Sequence, residues 1–331
     1  MPETSDDLPE AHGAAPLVGI ILVNWNGWEN TRLAYEHVQR SKHENWRFIV
    51  VDNASQDESV EKLRQLGPKT VLIESATNLG FAGACNIGIS AATEAGAEYV
   101  YLLNNDAFVT PDTIGDLVAA SRKLGDRSPL GATIRYESGK TLQFWGANRS
   151  KTTGLPERFP FSEDAFERAA DLLPCDFIMG ASLLAHRSIF ERVGLLDARF
   201  FLNFEETDWC ARAQRLGFPP MMLKSAVVYH KGGASIGDPN GPLQLYFMRR
   251  NRPLFGERNC PPHQYLMIYL HQVARALLGA VKTAFDRSPS AARRKLLSQA
   301  DMQATLDYTF RRFGDCPPKI RRMAGEYKAL S

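Results

Sequence analysis

The sequence predicts an α/β fold, a mixed and mostly parallel sheet flanked by helices, and three observations carry that reading. Short apolar runs alternate with helix-like segments up to about residue 130. Several of the runs are continuously apolar, as parallel strands buried on both faces are. They end in Asn or Asp, at the sheet edge where open α/β sheets bind their ligands.

In chain order, residues 18–23 form the first apolar run, followed by a helical stretch over 29–40. Residues 48–51 are a second strand ending at Asp52-Asn53. Ser55 with Glu58 three residues on reads as a capping box for the next helix. Residues 71–73 are a third strand, 81–95 a helix, and 99–103 a fourth strand that runs into Asn104-Asn105-Asp106. Thr110-Pro111 then reads as a cap and first residue of another helix. Beyond residue 131 the pattern is less regular, with strand-like pieces at 132–136, 142–145, 181–185 and 221–229, a polar loop with a short helix over 154–174, and a helix over 207–216. We expect a loose tail at 1–16, one mixed-sheet domain over 17–240 and a helical C-terminal extension over 241–331.

The chain has 331 residues, is 44% hydrophobic and 23% charged, and carries a formal net charge of +2, an ordinary balance for a folded protein with no strong call for a polyanion. No nucleic-acid partner is expected. The five cysteines are far apart, odd in number and without a CxxC, which disfavours a disulfide framework or zinc knuckle and fits a reducing, cytoplasmic setting. The first residues lack the basic start and apolar core of a signal peptide, and no uninterrupted apolar run is long enough to span a bilayer. Residues 265–285 are apolar around much of a helix but include His271, Arg275 and Lys282. They read either as a helix packed on the domain or on a second copy, or as an interfacial helix lying on a membrane beside the basic residues that follow.

Several residues at strand ends carry chemistry. Asp106 can ligate Mg²⁺ or Mn²⁺, which take oxygen ligands and share them with a diphosphate; an Asn/Asp turn is the plainer reading. His230 closes the strand at 221–229 before two glycines, and an imidazole beside a carboxylate suits Mn²⁺ better than Mg²⁺. Glu205-Glu206-Thr207-Asp208 follows an aromatic stretch and opens a helix. These acids either complement the helix dipole and cap it, or supply a general base whose pKa is raised by Phe201, Phe204 and Trp209. Asp52 can accept the N3–H of a uracil or thymine. The segment Asn78-Leu79-Gly80-Phe81-Ala82-Gly83 brings close glycines to a helix start, where backbone can approach a ligand, but it is not a dinucleotide fingerprint.

Taken in order, these pieces resemble family 2 glycosyltransferases of the Rossmann-like GT-A fold, and most of all the bacterial rhamnosyltransferase branch. The likeness runs over residues 18–252. It comprises Ile20-Ile21-Leu22-Val23-Asn24-Trp25-Asn26, Val50-Val51-Asp52-Asn53-Ala54-Ser55, the glycine segment through Asn86, Leu103-Asn104-Asn105-Asp106, Gly180-Ala181-Ser182-Leu183-Leu184, Phe204-Glu205-Glu206-Thr207-Asp208-Trp209-Cys210, Tyr229-His230-Lys231-Gly232-Gly233 and Arg249-Arg250-Asn251-Arg252. The resemblance implies a polysaccharide-building enzyme of the cell envelope. Its donor nucleotide would lie on Asn24, Asn26, Asp52, Asn53, Asn78, Gly80, Gly83, Asn86, Asn104 and Asn105. Mg²⁺ or Mn²⁺ would be held by Asp106 and His230. Two departures stand out: Asn104 fills the first position of the DxD-like metal motif, and Glu205-Glu206 replaces the commoner Glu-Asp. The implied base is then Glu206, with Asp208 the alternative.

The implied reaction is an inverting transfer of a sugar, rhamnose first, from dTDP-rhamnose or a UDP-sugar to a hydroxyl of a lipid-linked glycan, by a protein in peripheral contact with the inner face of the membrane. A nucleotidyltransferase would need Lys or Arg in the loop after the first strand, and Asn24-Trp25-Asn26-Gly27-Trp28 has neither. A non-catalytic sugar-binding protein of the same fold would have lost the acidic residues, which are present here.

Overall fold

A computed structural model describes residues 14–160, 162–232 and 238–330. The expected tail at 1–16 therefore falls almost wholly outside the described residues, as does Gly233. The first four strands, β1 (Val18–Asn24), β2 (Trp46–Asp52), β3 (Thr70–Glu74) and β4 (Tyr99–Leu103), are parallel in the order β3-β2-β1-β4. The sheet continues with β5 (Ala107–Val109), β6 (Leu130–Tyr136) and β7 (Leu142–Phe144). A separate two-stranded ribbon pairs β8 (Ala147–Arg149) with β9 (Pro156–Arg158), and β10 (Leu172–Pro174), β11 (Ser182–His186) and β12 (Met221–His230) complete the main sheet. Next to β4 stands β11, antiparallel to both β4 and β6, and β6 pairs in parallel with β12. The mixed sheet follows from the loss of regular alternation after residue 130.

The helices are α1 (Trp28–Gln39), α2 (Ser59–Leu63), α3 (Gly80–Glu94), α4 (Thr113–Lys123), α5 (Glu163–Arg168), α6 (Arg187–Val193) and α7 (Glu205–Arg215). The extension adds α8 (Pro242–Asn259), α9 (Pro262–Ala284), α10 (Ala291–Thr309) and α11 (Pro318–Ala329). Successive residues of β1 point to opposite faces, so the strand feeds two cores. Ile21 joins Ala82, Cys85 and Ile89 of α3, whereas Ile20 and Leu22 join Ala34 and Val38 of α1 and Leu117 of α4. Leu254 and Phe255 of α8 lie in the same cluster as Ile21 and Leu102, so the extension covers one face of the sheet.

The contact between α3 and the sheet is made close by small residues. A Cβ on Gly88 would stand 2.4 Å from Ile21 Cγ2, a branched methyl with no room to swing away. Alanine is favoured over glycine inside a helix by about 1 kcal/mol, but overpacking a filled core costs about 1–3 kcal/mol. We expect the clash to win, and Gly88→Ala to lower the midpoint of thermal or urea denaturation. An unchanged midpoint would show slack between α3 and β1.

Two local readings are corrected. Ser55 does not cap α2: its hydroxyl donates to Asp52 Oδ1 at 2.6 Å, and the helix starts later, at Ser59, without a side-chain cap from Glu58. Likewise α4 starts at Thr113 rather than Pro111, because Thr110 is bonded sideways to the Thr113 hydroxyl. Among the described residues no helix is long and apolar enough to cross a membrane. The helix α9 buries Ile268, Gln272 and Ala276 and leaves Leu266, Leu270, Leu277, Leu278 and Val281 exposed.

Candidate active site

The parallel register brings Asn24 and Asp52 level at the carboxyl edge, with Glu74 level with Asp52. Beyond this edge lies a cavity of ≈ 700 Å³. Of the residues expected at the site, Asn53, Asn78, Gly80, Asn104, Asn105, Asp106, Glu205, Glu206 and His230 line it.

One wall is built on Asn53 and Asn78. Asn53 Nδ2 donates to Asn78 Oδ1 at 3.0 Å and to the Gly80 carbonyl at 3.2 Å, while its Oδ1 accepts the Leu79 N–H at 2.8 Å. Asp52 lies just under this wall, 2% exposed. Its carboxylate accepts from Asn24 Nδ2 at 2.9 Å, from the Ser55 hydroxyl at 2.6 Å and from the Ser55 N–H at 3.0 Å. A carboxylate offers about four acceptor positions, so one Oδ2 lone pair remains.

Four expected donor contacts are placed elsewhere. Asn24 is fully buried, and its amide is taken up by Asp52, Ser55 and Thr31. Asn26 braces the turn after β1, accepting the Gln56 N–H at 2.7 Å. Gly83 faces Leu79 inside the start of α3, where a Cβ would come within 2.8 Å of Leu79 Cβ. Asn86 clips α3 to Leu196, donating to its carbonyl and accepting its N–H. None of the four is part of the cavity lining.

Asp106 and His230, both buried, also line the cavity, brought together because β12 pairs with β5 directly after Asp106. His230 Nδ1 is 2.9 Å from Gln143 Oε1, which puts the ring proton on Nδ1, and Asn104 Nδ2 is 3.3 Å from Nε2. The Nε2 lone pair then faces Asp106 Oδ1 at 3.0 Å. Two acceptors at that spacing fit a shared cation: ligands at right angles on an octahedral ion with bonds of about 2.1 Å lie about 3.0 Å apart. A ring nitrogen held by an amide through its other nitrogen is also a common metal ligand. Among the described residues no cluster of three or more His, Cys, Asp or Glu side chains stands at metal-binding distance, so such an ion would need ligands from the diphosphate or water.

The third wall is the turn before α7. Phe201, Asn203 and Phe204 adopt positive φ of 61°, 68° and 76°, a region that strains non-glycine residues. Two clamps hold them. The start of α3 donates the Phe81 N–H to the Phe201 carbonyl at 2.7 Å, and Gly80 permits the approach, since a Cβ there would meet that oxygen at 2.4 Å. From α8, Asn251 Nδ2 lies 2.7 Å from the Phe200 carbonyl and 2.8 Å from those of Leu202 and Asn203. Arg250 Nη2 donates to the Phe200 carbonyl and Nε to Asn251 Oδ1.

This turn aims Glu206 into the cavity, where its Oε1 accepts the Gly180 N–H at 3.4 Å and its Oε2 is buried with no partner. Burial pushes both glutamates up; Glu205, deeper and facing the Glu206 charge, goes well above the carboxylate range.

Asp208 is the correction here. Two residues along a helix is a turn of about 200°, which points it away from the cavity. It is fully buried, bonded to Arg212, Arg258 and Asn259, and anchors α7 to α8. Sequence reasoning missed Gln143, which lines the cavity and stands in no chemically suggestive pattern with its neighbours, and gave Arg252, also in the lining, no role beyond its place in the Arg249-Arg250-Asn251-Arg252 segment.

Residues 19–194, just over half of the chain, match the family described as Glycosyl transferase family 2. The dTDP-rhamnosyl transferase RfbF of Shigella flexneri is 23% identical over 244 residues, spanning 72% of this chain and 78% of that protein. The N-acetylglucosaminyl-diphospho-decaprenol L-rhamnosyltransferase of Mycobacterium tuberculosis is 27% identical over 226 residues, 60% of this chain and 71% of that one. Among solved structures, the mannosyltransferase PcManGT from Pyrobaculum calidifontis, in complex with GDP-Man and Mn²⁺, has a TM-score of 0.57 at 13% identity, over 94% of this chain and 91% of that one. At that identity the likeness bears on the fold alone, which is GT-A.

Proposed function

The chain belongs to glycosyl transferase family 2 and moves a sugar from a nucleotide-diphosphate donor to an acceptor; from that premise we propose an inverting, metal-dependent transfer of rhamnose from a dTDP donor to a hydroxyl of a lipid-linked surface glycan. The observation that carries the proposal is one cavity lined both by Glu206 and by Asp106 with His230. The rhamnosyl choice is supported by the names of the two relatives; a UDP-sugar is the alternative donor.

Glu206 Oε2 accepts the proton of the acceptor hydroxyl as its oxygen bonds to the anomeric carbon. The bond from that carbon to the donor's phosphate oxygen breaks, and its electron pair leaves with the nucleoside diphosphate. Attack opposite the leaving group inverts the centre, and a single base suffices. Asp106 and His230 would hold Mg²⁺ or Mn²⁺, which when bound supplies positive charge for the departing diphosphate. Asp52 Oδ2 receives the N3–H of the base, and Asn53, Asn78 and Asn104 border the nucleoside. Residues 17–240 form the transferase domain and 241–331 its extension, working in the cytoplasm at the inner face of the membrane; the basic groups of the extension support that placement.

Thermal stabilisation by dTDP, UDP and GDP, each with and without Mn²⁺, tests this. A ligand at 100 times its dissociation constant adds about 2.7 kcal/mol to the native state. We expect dTDP with Mn²⁺ to raise the melting temperature most, and Asp106→Ala to abolish the metal's contribution. If no nucleotide shifts the melt at millimolar concentration, the donor site is wrongly drawn.

A further inference from the structure

The helical extension holds a cluster of like charges for which the transfer chemistry gives no use. Arg249 and Arg252 stand three residues apart on one face of α8, half-buried, and Arg275 of α9 lies against them. The Nε atoms of all three are buried without a hydrogen-bond partner among the described residues. Arg275 pairs with Asp301 of α10. Neither Arg249 nor Arg252 has an ion pair or hydrogen bond among the described residues. Burial and the charges of Arg275 and Arg252 push the Arg249 guanidinium down to about 10 against the weaker pull of Asp301, and burial with Arg275 lowers Arg252. Half-buried, mutually repelling cations weaken a fold unless an anion answers them.

The surroundings say what kind of anion fits. Arg252 and Met248 line the same cavity as Glu206, so the cluster reaches the reaction space from the α8 side. On its other side Arg275 lines a groove of ≈ 520 Å³, walled by Leu245, Leu278 and Leu297 with Lys282 and Arg294 beside them. The cluster therefore bridges the reaction cavity and an apolar groove whose rim carries Arg275, Lys282 and Arg294 with the single carboxylate of Asp301. Guanidinium forks match phosphate oxygens two at a time.

We propose that Arg249, Arg252 and Arg275 form a binding site for a diphosphate ester that carries a hydrocarbon chain, with the diphosphate on the three guanidinium groups and the chain along the groove of Leu245, Leu278 and Leu297. This rests on the transferase reading and specifies its acceptor: the sugar to be extended points toward Glu206, and the anionic, lipidic end lies on the extension. The donor's own diphosphate belongs to Asp106 and His230 on another wall.

Calorimetric titration of the full chain with farnesyl diphosphate, inorganic pyrophosphate and farnesol tests the site, with flotation on phosphatidylglycerol vesicles as a further arm. We expect farnesyl diphosphate to bind at least ten-fold tighter than pyrophosphate or farnesol. The Arg249→Gln/Arg252→Gln double variant should bind it at least ten-fold more weakly, keep the stabilisation by nucleotide with Mn²⁺, and melt no lower than the parent, since it removes two unanswered charges. Arg252→Lys, which keeps the charge without the fork, should fall between. Unchanged farnesyl diphosphate binding in the double variant overturns the proposal. So does loss of nucleotide binding in step with it, which would give the arginines to the donor, or a lowered melting temperature, which would make them structural. Equal affinity for pyrophosphate removes the hydrocarbon chain from the assignment, and loss of vesicle binding alone would point to a lipid headgroup instead. A parent chain that binds nucleotide with Mn²⁺ but not farnesyl diphosphate leaves the transferase reading standing and removes this one.

Discussion

Glu206→Gln is expected to lower kcat by about 10²–10⁴-fold, the usual weight of a positioned general base, while leaving stabilisation by nucleotide and metal intact. The amide keeps the shape and loses the proton acceptor, so binding survives and chemistry does not. The pH profile adds a second readout. A base works only when ionised, so activity falls as pH drops through its pKa. Burial raises that pKa above the ordinary glutamate value of 4.5, and the acid limb of kcat should therefore lie at higher pH than for an exposed glutamate. Burial and the Glu206 charge raise Glu205 too. Glu205→Gln leaves the proposed base in place and should keep both the limb and most of the rate. If Glu205→Gln kills transfer and Glu206→Gln spares it, the two roles are reversed. Steady-state rates from pH 5 to 9 for the three proteins decide the matter.

Asn251→Ala is expected to produce the largest loss of stability. One amide serves the carbonyls of Phe200, Leu202 and Asn203, and Asn251 is fully buried, so water cannot replace it. The Phe200 carbonyl keeps Arg250 and the Leu202 N–H, but those of Leu202 and Asn203 lose their donor; leaving buried polar groups unsatisfied costs about 1–3 kcal/mol each, so the variant should lose about 2–5 kcal/mol. The strained residues 201, 203 and 204 would then relax and carry Glu206 away. We therefore expect a low urea midpoint together with a fall in kcat at temperatures where the variant is still folded. Asn251→Asp keeps the volume but turns an acceptor toward three acceptors, and should be at least as damaging. A variant with parental stability and rate would show that the α3 clamp alone holds the turn.

The parallel half of the sheet was legible because its strands announce themselves: residues 18–23 are apolar at nearly every position, which only burial on both faces accommodates. Helix starts were less so. Ser55 looks like a cap to any local reading, but Asp52, delivered by the preceding strand, takes its hydroxyl. The acidic motif was half legible. Its position before α7 was visible, and helical geometry alone separates Glu206 from Asp208, yet the partners that claim Asp208 lie about fifty residues on, at Arg258 and Asn259. The pairing of Asp106 with His230 was accessible only through resemblance, because it depends on β12 closing against β5. The backbone of Phe201, Asn203 and Phe204 was not legible at all: aromatic residues at positive φ contradict local preference, and only distant donors impose it.

The amide clamp from α8 also sets an order of events on the ribosome. Once residue 230 has been added, every strand described here has been synthesised, and the walls bearing Asn53 and Asp106 can assemble. The carbonyls of Leu202 and Asn203 still lack their donor, and among the described residues nothing answers them until residue 251 emerges. The carboxylate turn is therefore fastened only after the sheet is complete, and a chain stalled between those two points would hold a donor pocket without a working base. What looks like an appendage in the linear order acts as the final fastening of the catalytic wall.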